Sequence, residues 1–196
     1  MGKAEAFALA ALIGVAAAAG AGWRDQASAF DVQRLADLGQ SRAKGLQEAA
    51  AAAPADVDAV RSLLEAGTVA AEPRALQGIW RCRMMKLGGL TPAIVYGWFR
   101  CRISEKNGAL VFEKLTGSQR TRGTLYPEDR GFVYLGASFV AGEKPHGYSG
   151  KGASVGAPAT PDDEIGLLSL LYDGRARLEL PAPVQESDFE VIELKR

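Results

Sequence analysis

Residues 110–139 read LVFEKLTGSQRTRGTLYPEDRGFVYLGASF. Three runs within this stretch, Leu110 to Leu115, Gln119 to Tyr126 and Gly131 to Phe139, gather Val, Phe, Tyr, Leu and Thr with a period of two, the pattern of half-buried strands. Between them stand Thr116-Gly117-Ser118 and Pro127-Glu128-Asp129, residues that turn a chain sharply and suit hairpins. Neighbouring strands joined by such short turns pair antiparallel.

The same texture extends to both sides. Gly78 to Lys86 and Ile94 to Ser104 precede the quoted stretch, and Glu164 to Tyr172, Arg175 to Leu180 and Phe189 to Leu194 follow it; Lys106-Asn107-Gly108 and Asp173-Gly174 supply further turns. About eight short strands in sequence predict a mainly β member of the α+β class: short N-terminal helices, then an antiparallel up-and-down meander closing into a barrel or a curled sheet. Closure is favoured because it removes exposed strand edges. A β-sandwich is the alternative. Gly142 to Asp163, rich in Gly, Pro, Ser and Ala, is expected as a long loop over one mouth.

Upstream the period is helical. Leu35, Leu38 and Leu46, then Val57, Val60, Leu63 and Leu64 after Pro54, predict two amphipathic helices between Phe30 and Gly67, with Asp56 as N-cap and Gly67 as stop of the second. Thr68 to Gln77 is the linker. Before the helices, Lys3 and the uncharged run Phe7 to Ala19, with small residues at Ala19 and Ala21, have the form of a cleavable export signal, and that run is too short to span a bilayer. The expected division is residues 1–21 as signal peptide, 22–77 as helical segment and linker, and 78–196 as β domain, in a periplasmic or secreted protein with no membrane span once the signal is removed.

The 196 residues balance 23 basic against 23 acidic side chains, so no whole-molecule field favours nucleic acid, and nucleic acid is not expected as a partner. A single histidine, His146, gives no multi-histidine metal site and only one candidate for a histidine triad. Ser41-Arg42-Ala43-Lys44 matches S-x-x-K, but no S-D-N follows, and no glycine-rich phosphate loop opens a helix. No cofactor, metal or catalytic residue is assigned, and no enzyme is expected.

Cys82 and Cys101 lie in neighbouring predicted strands, in the similar settings Trp80-Arg81-Cys82-Arg83 and Phe99-Arg100-Cys101-Arg102. A disulfide is the natural reading for an exported chain, with two buried thiols as the alternative. Alternation places Arg81, Arg83, Arg100 and Arg102 together on the face opposite the sulfurs. Like charges there require compensation, either from Glu113, Glu179, Glu190 and Glu193 or from an anionic ligand. The polar run Lys114 to Gly123 adds Ser118, Gln119 and Arg120 as ligand-binding candidates at a barrel end.

Leu76-Gln77-Gly78-Ile79-Trp80-Arg81-Cys82-Arg83, Trp98 to Arg102, Lys114 to Gly123, Tyr134-Leu135-Gly136 and Pro181-Ala182-Pro183 with Glu186-Ser187 together resemble a bacterial family catalogued as domain of unknown function 4893. The resemblance runs from about Trp23 to the end, and it implies export with no known activity. More distantly, Gly78-x-Trp80 at the head of eight strands is similar to the start of a lipocalin-type barrel. There a tryptophan plugs the closed end against a late arginine, and Arg175, Arg177 or Arg196 would take that part here. The functions to weigh are, in order, a binding module for a small polar or anionic ligand, a structural or protein-interaction module of the cell envelope, and an enzyme without histidine, which would need two convergent carboxylates or a Ser-Lys pair in a cleft.

Overall fold

The computed structural model describes residues 22–150 and 160–196; the expected signal segment and residues 151–159 of the long loop lie outside the described residues. In chain order the elements are α1 (Trp23–Gln26), α2 (Ala29–Ala36), α3 (Leu38–Ala49), α4 (Pro54–Leu64), β1 (Thr68–Val69), α5 (Pro73–Leu76), β2 (Gly78–Leu87), β3 (Ala93–Val95), β4 (Phe99–Lys106), β5 (Ala109–Lys114), β6 (Gln119–Glu128), β7 (Gly131–Val140), β8 (Asp163–Leu171), β9 (Ala176–Pro181) and β10 (Phe189–Lys195). Strands β4 to β10 each pair antiparallel with the next in sequence, β2 pairs with β4, and β10 returns to β2. Eight strands therefore form a closed up-and-down barrel, rather than two stacked sheets. The β4–β5 turn is made by Asn107 and Gly108, both at positive φ (53° and 77°), the combination that a two-residue hairpin matched to strand twist requires.

Alternation decides what fills the barrel. Trp80, Cys82, Cys101, Ile103, Phe112, Tyr134, Leu168, Leu178, Ile192 and Leu194 point inward and are buried with Leu76 of α5. The two cysteines form a disulfide inside this core, with Cα atoms 5.9 Å apart. Cys82 stands opposite Phe99, and Cys101 opposite Trp80, so the bridge runs diagonally between β2 and β4 and not straight across. At the same end Trp80 donates its indole N–H to the Leu76 carbonyl (2.8 Å), and Arg196 lies 4.5 Å over its ring while donating to the carbonyls of Ala75 and Gln77. Arg196 thus caps this closed end, whereas Arg175 and Arg177 lie elsewhere.

The helices cover part of the outer wall. Ala49, Val60, Leu63 and Leu64 pack on Met85, Leu87, Leu171, Phe189 and Val191, and Trp23 packs on Val133, Leu135 and Ile165. Two expectations need correction here. The first predicted helix is two, α2 and α3, broken at Asp37, which ends one and begins the next. The second begins with Ala53 as N-cap and Pro54 in its first turn, where proline's fixed φ is pre-organised, so Asp56 lies inside it. It ends at Leu64 and not at Gly67, because the buried Arg177 takes the carbonyls of Leu63, Leu64 and Ala66 at 2.8–3.0 Å.

The strand expected over Ile94 to Ser104 is also divided. β3 pairs with β2 through Val95 and Met85, and β4 pairs with it through Phe99 and Cys82, which leaves three residues opposing two. That one-residue bulge reverses the alternation, so Phe99 faces inward and Trp98 lies on the outer wall beside Arg81 and Arg83.

Candidate functional site

The open end of the barrel is where the inward rows turn polar. Along β2 the inward residues are Trp80, Cys82, Met84 and then Lys86; the inward row of β5 ends on Lys114, and the inward rows of β6, β8 and β10 begin with Gln119 and Thr121, with Glu164 and with Glu190. These side chains, with Met84, Phe99, Ile165 and Leu180, line a cavity of about 220 Å³ that opens between the β3, β5–β6, β7–β8 and β9–β10 connections. Its volume is below the range of roughly 300–1,000 Å³ for drug-sized ligands.

Room for the deepest polar group comes from two glycines. Gly123 and Gly136 face each other across β6 and β7, and a Cβ on either would run into Tyr134. The Tyr134 ring packs edge-on against Phe112, and its hydroxyl shares a hydrogen bond with that of Thr121, which donates to Glu164. Burial, reinforced by the negative charge of Glu190, raises the Glu164 carboxyl to about 8 against the opposing Thr121 hydrogen bond, so Glu164 is mostly protonated at neutral pH. Glu190 is also raised, by burial that outweighs Lys86 and Ser187.

The cations of the mouth divide into paired and unpaired. Lys86 lies 3.3 Å from Glu190 and bonds Glu186, and these carboxylates raise its pKa despite burial. Arg34 is held by Asp31 and by the carbonyls of Asp163 and Ala182. Lys114, by contrast, is 7% exposed and has no carboxylate within 4.0 Å among the described residues; its ammonium donates to the Gln119 carbonyl and stands 4.2 Å over the Phe99 ring. Burial first, then repulsion from Lys86 and Arg120, lowers it to about 8. Arg120 donates to the Gly117 carbonyl (3.2 Å) and likewise has no carboxylate partner among the described residues. A buried cation without a counter-ion, a protonated acid and an apolar wall together equip the mouth to hold a small molecule with one anionic end.

The sequence candidates separate accordingly. Ser118, Gln119 and Arg120 line the mouth. Arg81, Arg83, Arg100 and Arg102 lie on the outer wall, apart from this cavity, while Cys82 and Cys101 are sealed in the core. Arg83 pairs with Glu193 at 2.6 Å, and Arg102 with Glu113 at 2.7 Å, where Lys106 and Arg122 also converge; these contacts outweigh burial and lower the Glu113 pKa. Glu179 and Glu190 do not join that network: Glu179 pairs with Arg177 and Arg42, and Glu190 faces the mouth. Lys86, Lys114, Tyr134, Glu164 and Glu190 were not among the sequence candidates, although their parity with inward apolar residues marks them.

A second hollow of about 630 Å³ lies between α2–α3 and the outer wall of β7–β9, where Glu179 forms ion pairs with Arg42 and Arg177 while Arg42 Nε and Glu179 Oε1 are buried without a hydrogen-bond partner among the described residues. His146 is exposed, 3.8 Å from Asp162, and no cluster of three metal-ligating side chains occurs among the described residues. No described helix is long and apolar enough to cross a membrane. No curated protein and no solved structure matches this chain. A family model described as Domain of unknown function (DUF4893) matches residues 23–194, which take in the covering helices and all but the last residue of the barrel, and the chain belongs to that family.

Proposed function

We propose that the protein is an exported binding module whose barrel mouth takes a small molecule with an anionic head and an apolar body. One observation carries this reading: Lys114 is buried at the wall of an open cavity with no carboxylate within 4.0 Å among the described residues. The acids nearby do not cancel it, since Glu186 and Glu190 face Lys86 and Glu164 holds its proton at neutral pH. An anion at Lys114 and Arg120 would supply the missing partner, with Met84, Phe99 and Leu180 receiving the apolar part. Export is supported by the form of residues 3–21 and by the disulfide, a bond that persists in oxidising compartments.

Calorimetric titration with octanoate, phenylacetate and the neutral control octanol tests the reading. At least one of the acids is expected to bind, about tenfold or more tightly than octanol, with proton uptake near pH 8 as Lys114 regains its charge. Lys114→Met should remove the preference for the acid. Equal affinity for acid and alcohol, or a preference unchanged in Lys114→Met, would overturn it.

A further inference from the structure

The outer wall of β2, β4 and β10 carries a charge pattern that the internal ion pairs leave unresolved. Lys195 stands directly opposite Arg81, and Arg81 directly opposite Arg100, giving three cations in one row across three adjacent strands. Like charges in direct cross-strand register repel. The carboxylates of this wall are engaged elsewhere, Glu193 by Arg83 and Arg175 and Glu113 by Arg102, Lys106 and Arg122; none lies within 4.0 Å of Arg81, Arg100 or Lys195 among the described residues. The helices pack on β2, β3 and β8–β10 and leave Arg81 and Arg100 exposed.

Trp98 stands in the middle of this group. The bulge between β3 and β4 puts its half-buried indole on the outer wall, with Lys195 Nζ 4.0 Å, Arg83 4.8 Å and Arg81 5.2 Å from the ring centre. Two residues before Arg81 on the same face, Ile79 is 53% exposed. A tryptophan, an exposed aliphatic side chain and several cations with no counter-ion are the side chains that settle at the boundary between lipid headgroups and acyl chains. We infer that this wall docks on a membrane surface rich in anionic phospholipid: Arg81, Arg100 and Lys195 meet headgroup phosphates, while Trp98 and Ile79 reach the interfacial layer. With zero formal net charge on the whole chain, the attraction is confined to this patch and therefore short-ranged and salt-sensitive. The row lies on the side wall, so docking leaves the mouth open, and the inference is independent of what the mouth binds.

The test is sedimentation of the purified full-length mature chain with phosphatidylcholine vesicles, plain or containing about one third phosphatidylglycerol, at low and at high salt. Partitioning is expected only with the anionic vesicles and only at low salt. Each cation removed should weaken it about fivefold, so the Arg81→Gln Arg100→Gln double variant should fall roughly twenty-five-fold. Removing opposed like charges should leave that variant melting at or above the wild-type temperature. Lys114→Met should partition as wild type. Equal sedimentation with plain and anionic vesicles, no sedimentation with either, an unaffected double variant, or capture by soluble polyphosphate without vesicle binding would each overturn the inference.

Discussion

Replacing both cysteines by alanine tests the core in the most quantitative way. The bridge joins positions 19 residues apart, and a cross-link closing a loop of that length stabilises the fold by about 3 kcal/mol through the entropy it removes from the unfolded chain. Both sulfurs are fully buried among Trp80, Ile103 and Leu194, so Cys82→Ala Cys101→Ala also leaves a void. Each lost sulfur resembles a buried methylene, which adds about 2 kcal/mol for the pair. The expected loss is about 5 kcal/mol, corresponding to a melting point lower by roughly 10–20 °C for a domain of this size. Urea unfolding of the oxidised protein, the reduced protein and the double variant separates the two contributions. Reduction retains the sulfur atoms and should cost about 3 kcal/mol. Because the bridge is sealed within the barrel, a reductant should act on the folded protein only when the barrel opens. A double variant within about 1 kcal/mol of the oxidised protein, well inside that loop-entropy figure, would refute both the burial and the loop argument.

Three further outcomes follow from particular contacts. Gly136→Ala should displace Tyr134 and destabilise by about 3 kcal/mol or more, read by urea unfolding, because the new Cβ would meet the Tyr134 hydroxyl and the Arg122 carbonyl. Arg177→Ala should cost about 3 kcal/mol in the same assay, since it frees the last carbonyls of α4 and leaves buried Glu179 with Arg42 as its one remaining ion-pair partner among the described residues; Arg177→Lys should recover only part. Glu164 has a folded pKa near 8, above its ordinary value of 4.5, so its stabilising contribution is complete below pH 4.5 and is lost as pH rises toward 8. Glu164→Gln should make the fall in stability across that window shallower, leaving the part due to Glu190, whose carboxyl is also raised. Lys114, lowered to about 8, shifts stability only above that pH and does not confuse the measurement.

Much of this architecture was written in local patterns. Period-two runs and their turns marked all eight barrel strands, since the inward side chains that fill the core are apolar; Trp80, Phe112 and Leu178 are examples. What local pattern could not convey was an extra residue. The bulge at Tyr96 to Trp98 reverses the parity of the segment, and nothing in its composition announces the reversal, which is why Ile94 to Ser104 reads as one continuous strand. Helix ends were obscured for a related reason: Arg177, more than a hundred residues downstream, terminates α4, so the local stop at Gly67 was misleading.

The mouth was legible at its rim and hidden at its floor. Ser118, Gln119 and Arg120 stood out because they interrupt an otherwise apolar text, whereas Lys86, Glu164 and Glu190 are single charges at strand ends, where solvent is the ordinary destination. Closure of the sheet turns those ends toward one axis. Once the barrel exists, the parity of Lys86 with Trp80 and Cys82 is sufficient to place it inside. The arginine quartet shows the converse: adjacency was correct, but two members are neutralised by Glu113 and Glu193, while Arg81 and Arg100 have no acidic partner among the described residues.

The most direct examination of the mouth is native mass spectrometry of the protein purified without denaturation from the cells that produce it. The expected result is a species heavier than the bare polypeptide by the mass of one small organic acid, reduced to the bare polypeptide by Lys114→Met. A bare chain from the wild type, or an adduct that survives loss of the Lys114 ammonium, would contradict it.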